Sequence, residues 1–278
     1  IPRRGGVTPR PLARGLEVGA MQSETLEVIE SARLYGETHV LWFPLPASFN
    51  GAQPGQFVMA YCGEGYDPLL GRALSFHRTR EGARGTEFAL LFDVVGRGTA
   101  WLASRERGDE VRLVGPLGRG FEPRANVQRM LLVGGGIGVA PLVGLADRLV
   151  EEGREVTLVL GARSEAGVFP ASLLPPAVEL IVTTEDGSAG ERGRVTAPFQ
   201  RLLGWCDQAF ACGPNPMFEA MHGVVRASQT AKPVQALLEA TMACGMGICY
   251  SCAVFPRRGG VKLVCHDGPM FDLRDLYA

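Results

Sequence analysis

Four cysteines near the C-terminal end, Cys244, Cys249, Cys252 and Cys265, stand in the order C-x4-C-x2-C-x12-C within ATMACGMGICYSCAVFPRRGGVKLVCHDGP. Gly245 and Gly247 lie between the first cysteines. Glycine there lets the backbone take positive φ and aim several thiolates and N–H groups at one small volume. The C-x4-C-x2-C…C run is the plant-type spacing for a [2Fe-2S] cluster, here with an early fourth cysteine. A structural zinc site is the competing use of four cysteines, but it favours two C-x2-C knuckles and this chain has one.

A second group of motifs suits nucleotide chemistry. Gly134, Gly135, Gly136 and Gly138 follow an apolar run and precede Pro141, in GGGIGVAP. Such a turn lets a pyrophosphate approach a helix N-terminus, although the spacing is not G-x-G-x-x-G, and a tight ligand-free turn is the bland alternative. Arg72 and Ser75, in GRALS, share one side of a strand only if a bend intervenes, because residues three apart otherwise face opposite ways. A guanidinium fork suits a pyrophosphate, and GRGT at 96–99 adds a glycine turn with a hydroxyl just downstream. Glu185 and Asp186 directly follow the apolar run ELIVTT. Acidic groups at a strand end can accept hydrogen bonds from a ribose diol and repel a 2′-phosphate, with an ordinary Asp-Gly turn as the alternative and Arg163 as a competing cation. Cys212, in ACGPNP, reads as a small buried hydrophobe, and the four histidines show no metal-binding spacing.

The elements that must position these groups fall into three segments. From 16 to 122, short alternating runs broken by glycine and proline predict an antiparallel barrel or sandwich. From 123 to 222, continuous apolar runs alternate with helical stretches such as PLVGLADRLVEEG, which predicts a parallel α/β sheet. Residues 223–278 hold the cysteine module. The first fifteen residues carry four arginines, three prolines and three glycines and are expected to be a disordered tail.

Bulk composition narrows the partners. A net charge of −1 gives no electrostatic footprint for nucleic acid or an anionic membrane. The longest apolar stretch, MLLVGGGIGVAPLVGLA, contains five glycines and a proline, so no membrane span is expected. With four of the seven cysteines claimed by the module, Cys62, Cys206 and Cys212 are left as free thiols, which suits the cytoplasm.

In order, GRALS, GRGT, GGGIGVAPL, TTEDGS, ACGPNPM and ATMACGMGICYSC…VKLVCHDGPMFD resemble the electron-transfer subunits of class 1B dihydroorotate dehydrogenases, from about residue 17 to the end. That family belongs to the ferredoxin–NADP reductase superfamily. The resemblance implies an FAD-binding β-barrel, an NAD-binding α/β domain and a C-terminal [2Fe-2S] module. It also implies a separate FMN-containing catalytic subunit that oxidises dihydroorotate, joined in a heterotetramer. By the same resemblance, Arg72, Ala73, Leu74 and Ser75 form the FAD-binding strand, with Ser75 near flavin N5 and Arg72 toward the pyrophosphate. Leu91, Phe92 and Asp93 form the next flavin contact, and Gly98 and Thr99 the phosphate turn. Leu74 stands where the superfamily often has an aromatic, and Asp93 where this subfamily carries a basic residue. The implied chemistry is a relay from partner FMN through the cluster and FAD to NAD, in pyrimidine biosynthesis, with no side chain needed as a general base. The alternatives are another FAD and [2Fe-2S] reductase subunit of the superfamily, of transhydrogenase or hydrogenase type, and a zinc-binding scaffold.

Overall fold

A computed structural model describes residues 22–63, 65–257 and 259–277; the tail expected over 1–15 lies outside them. The alternating runs form β1 (Gln22–Glu27), β2 (Glu30–Tyr35), β3 (Thr38–Pro44), β4 (Phe57–Tyr61), β5 (Arg72–Gly82) and β6 (Gly85–Asp93). Helix α1 (Arg97–Ala103) and then β7 (Glu110–Leu117) complete this half. The strands pair antiparallel in the order β1-β7-β4-β5-β6-β3-β2. Its two edge strands are consecutive in the chain. Val28 N donates to Asp109 O and Ile29 N to Trp42 O, both at 2.8 Å, so the sheet curls back toward itself. Alternation then sorts side chains by face: Val58 and Ala60 join Phe43, Phe88 and Leu90 inside the barrel, while Phe57 and Met59 point outward into a second core.

The continuous apolar runs become β8 (Arg129–Gly135), β9 (Glu155–Ala162), β10 (Val178–Thr184), β11 (Glu191–Arg192), β12 (Gln208–Cys212) and β13 (Val234–Leu237). Between them lie α2 (Val139–Glu151), α3 (Thr196–Leu202) and α4 (Asn215–Ser228). These strands are parallel and covered on both faces, which is why they lack alternation. Met130 and Leu132 pack with Leu142 and Leu149 of α2, whereas Leu131 and Val133 pack with Phe199 of α3 and Phe218 of α4.

After β14 (Ala253–Val254), β15 (Lys262–Leu263) and α5 (Val264–Asp267), β16 (Met270–Asp272) returns to pair antiparallel with β13, and α6 (Leu273–Leu276) follows. The α/β sheet therefore takes two strands from beyond residue 222. The cysteine module grows out of the connection between these neighbours, 238–269. Its feet are clamped by Leu238 N to Pro269 O at 2.9 Å, and to the barrel by Arg119 N to Gly268 O at 2.6 Å.

Candidate functional site

A cavity of about 720 Å³ lies where the barrel meets the carboxyl ends of β12 and β13. Parallel strands leave their ligand crevice at that end. The barrel wall consists of Arg72, Ala73, Leu74, Ser75, Leu91, Phe92 and Asp93 and the turn from Gly96 to Thr99. Ile137, Ala140, Pro141, Cys212 and the segment Leu237–Met242 form the other wall.

Arg72, Ala73, Leu74 and Ser75 all line the cavity, so both faces of this stretch of β5 reach it, although β5 keeps a regular register with β4 from Ala60 opposite Arg72 to Phe57 opposite Ser75. From Phe76 the strand pairs with β6, with an irregularity between Phe76 and Thr79. The Arg72 guanidinium bonds to Leu70 O and lies against Gly98, where an added Cβ would fall 2.1 Å from Nε. Thr99 Oγ1 accepts from Val95 N at 2.9 Å and Gly96 N at 3.1 Å, closing the turn at the start of α1. Asp93 accepts from Thr38 Oγ1 at 2.5 Å, so its carboxylate is held at the end of β6 by the neighbouring strand.

Sequence reasoning gave Cys212 no role and passed over Glu239. Both line the cavity because β12 and β13 run side by side, with Cys212 opposite Leu237. Burial, and then the Glu239 carboxylate, push the Cys212 thiol well above its ordinary range, so it is neutral rather than a thiolate. Glu239 is open to the cavity yet walled closely: burial and then Asp93 hold its carboxyl above the usual carboxylate range. Its position directly past the end of an apolar strand was the signal available for it.

The glycine turn between β8 and α2 touches the cavity through Ile137, while Gly134, Gly135, Gly136 and Gly138 do not line it. Gly138 packs against the end of β12, where a Cβ would fall 2.1 Å from Cys212 O. Gly135 meets Met217 and Pro214, and Gly136 supplies the positive φ of the turn, +54°. Close packing of two strand–helix turns thus accounts for several of these glycines.

Glu185 and Asp186 sit past the end of β10, away from the cavity. Asp186 Oδ1 accepts from Ser188 N at 2.9 Å and Ser188 Oγ at 2.6 Å, and those bonds hold its carboxyl below the usual range. The Asp-Gly turn anticipated as the bland alternative is therefore present. Glu185 is exposed and lies 3.6 Å from Arg194.

The cysteines form two pairs in the module. Cys252 Sγ and Cys265 Sγ are 3.2 Å apart, and burial together with the Cys252 thiol pushes the Cys265 thiol up to about 12. Exposed Cys249 neighbours Cys244; hydrogen bonds from Ser251 first, and then Cys244, bring its thiol down to about 6. Backbone N–H groups face the sulfurs: Gly247 N to Cys265 at 3.1 Å, Met246 N to Cys244 at 3.4 Å and Cys265 N to Cys252 at 3.5 Å. Among the described residues no three Cys, His, Asp or Glu side chains converge on a single ion. A binuclear cluster asks each iron to take two protein sulfurs, and these cysteines stand in two pairs. The donor set fits [2Fe-2S]. Ile248 and Tyr250, which flank the exposed Cys249 in the chain, are 72% and 62% exposed, and Phe255, just after β14, is 76% exposed, an apolar rim of the module.

Residues 239–277 match the family model of the iron-sulfur cluster binding domain of dihydroorotate dehydrogenase B. The dihydroorotate dehydrogenase B (NAD(+)) electron transfer subunit of Desulforamulus reducens is 37% identical over 240 residues, 84% of this chain and 90% of that protein. Its counterpart in Geobacillus thermodenitrificans is 40% identical over 254 residues, 89% and 96% of the two chains. Among solved structures, an NADH-dependent reduced ferredoxin-NADP oxidoreductase aligns with TM-score 0.77 at 30% identity, covering 90% of this chain and 89% of that one. The ferredoxin reductase of carbazole 1,9a-dioxygenase shares the fold at TM-score 0.61 and 21% identity, over 74% and 65% of the chains.

Proposed function

We propose an electron relay, and its premise is that the chain belongs to the family of dihydroorotate dehydrogenase B electron transfer subunits. The chain is an oxidoreductase subunit that uses FAD, a [2Fe-2S] cluster and NAD. Its partner is a catalytic subunit, read here as an FMN protein that oxidises dihydroorotate, with two copies of each chain in a cytoplasmic heterotetramer. One observation supports the relay most strongly: the arm that leads to Cys244, Glu239–Met242, is also a wall of the cavity that holds Arg72–Ser75. Cluster and cavity share a segment of backbone, so two redox groups held there are near neighbours.

FAD can exchange electrons singly with a cluster and in pairs, as hydride, with nicotinamide. The chain's residues supply placement. Arg72 offers a fixed cation to the FAD pyrophosphate beside the close-packed turn of Gly98 and Thr99, and Ser75 offers a hydroxyl toward the flavin ring. Neutral Cys212 and the protonatable Glu239 face the same space from the α/β side without placing two negative charges beside an incoming hydride donor. Cys244, Cys249, Cys252 and Cys265 hold the irons, and the N–H groups aimed at their sulfurs favour the reduced cluster. Gly134, Gly135, Gly136 and Gly138 shape the turn beside the NAD pyrophosphate, and Glu185, with Asp186, faces the adenosine ribose. The apolar rim of Ile248, Tyr250 and Phe255 is the face offered to the catalytic subunit, which brings that subunit's redox group close to the cluster.

The test is reconstitution. The chain alone should pass electrons from NADH to an artificial acceptor and leave dihydroorotate untouched; adding the catalytic subunit should give dihydroorotate-dependent reduction of NAD. Turnover of dihydroorotate by the single chain overturns the two-subunit reading.

A further inference from the structure

Met59, at the middle of β4, is fully buried and turns out of the barrel into the core that contains Cys252 and Cys265. Its backbone pairs with Ala73, in the segment that lines the cavity. Two glycines show how far its side chain extends. A Cβ added at Gly245 would fall 2.6 Å from Met59 Cγ and 3.1 Å from Sδ, and one added at Gly71 would fall 3.3 Å from Cε. Gly245 follows the ligand Cys244, and Gly71 precedes Arg72. One thioether therefore fills the gap between the cysteine loop and the entry to the cavity strand. Gly245 has φ +73°, and with the Cβ position already occupied no larger residue fits there without moving the loop.

We propose that Met59 is a positioning residue that sets the separation between the cysteine loop and the cavity strand, and thereby the rate of electron passage between cluster and flavin. The inference rests on the relay reading. Electron passage falls steeply with separation and with unfilled space along the way, and a methionine gives continuous contact across an irregular gap. The backbone route from Cys244 to cavity-lining Met242 is placed only as well as the loop that Met59 props. Truncation leaves a void that neighbours fill only in part, so the loop is free to shift.

The experiment compares Met59→Leu, Met59→Val and Met59→Ala in the full chain with FAD and cluster loaded, after iron, sulfide and FAD are shown equal to the parent. Each is mixed anaerobically with NADH. NADH becomes NAD+, its hydride carrying two electrons and a proton to the flavin; one electron then passes to the cluster, and the other stays on the flavin with the proton. Flavin bleaching reports the first step, and freeze-quenched EPR of the reduced cluster reports the second. Flavin bleaching should hold its rate throughout the series, while cluster reduction slows several-fold in Met59→Ala, less in Met59→Val, and stays near the parent in Met59→Leu. The EPR line shape should shift in the same order. Unchanged cluster reduction in Met59→Ala, or equal slowing of both steps, overturns the assignment. A parent protein whose cluster takes no electron from NADH refutes the relay itself and is thereby distinguished.

Discussion

Arg72 and Gly98 occupy one another's space: the guanidinium of the cavity strand lies where a side chain at the start of α1 would begin, 2.1 Å from that Cβ position. Gly98 is thus the counterpart that lets a cation sit against the helix start. Gly98→Ala should displace the guanidinium and weaken FAD retention by about tenfold, ~1.4 kcal/mol. Flavin release on gel filtration, compared with Gly96→Ala, whose Cβ meets nothing within 4 Å, measures it.

Cys252→Ser should abolish the iron–sulfur absorption while flavin stays bound, since the cavity wall contains none of the four cysteines of the module. Iron and sulfide analysis checks this, and an unchanged content would remove Cys252 from the ligand set.

The acid limit of stability should depend on His77. It is wholly buried where β5 meets α2, its Nδ1 lies 2.8 Å from Ala140 O, and burial pulls its pKa down to about 4. Arg78, bonded to Asp147, is the charged neighbour on its own strand. The unfolded imidazole takes its proton near pH 6.5 and the folded one only near 4, so the unfolded state binds more protons between these values. Stability is therefore present above pH 6.5 and lost as pH falls through that window, on the order of 3 kcal/mol. His77→Asn should flatten the Tm-against-pH curve between pH 6.5 and 4.

Nucleotide preference should respond more to Glu185 than to Asp186. Asp186 Oδ1 is engaged with Ser188, whereas Glu185 is exposed with one long contact to Arg194. Glu185→Ser should narrow the gap between NADH and NADPH mainly by improving NADPH binding, and Asp186→Ser should do so less. Steady-state KM values for both nucleotides decide the order.

Sheet type was legible in the sequence because burial on one face or two leaves different patterns: alternation around Val58 and Ala60, continuous runs around Leu131 and Leu132. The cysteine spacing was legible for a similar reason, since a loop that gathers four sulfurs must place them locally. Long-range geometry was not. That all of Arg72–Ser75, rather than one face of the strand, lines the cavity depends on what packs around β5, and no local residue announces it. Cys212 and Glu239 meet only because β12 and β13 are neighbours, and β16 joins that sheet after a connection of more than thirty residues. The glycines after β8 also carry a packing demand that their spacing alone does not show, since Gly138 closely approaches Cys212.

The relay is tested most directly by anaerobic titration of the purified chain with NADH, followed by visible absorption and EPR. FAD takes up two electrons and a [2Fe-2S] cluster one, so the account predicts about three electrons per chain, with flavin bleaching and a reduced-cluster EPR signal developing in the same titration. Uptake that stops at about two electrons with no cluster signal would contradict it.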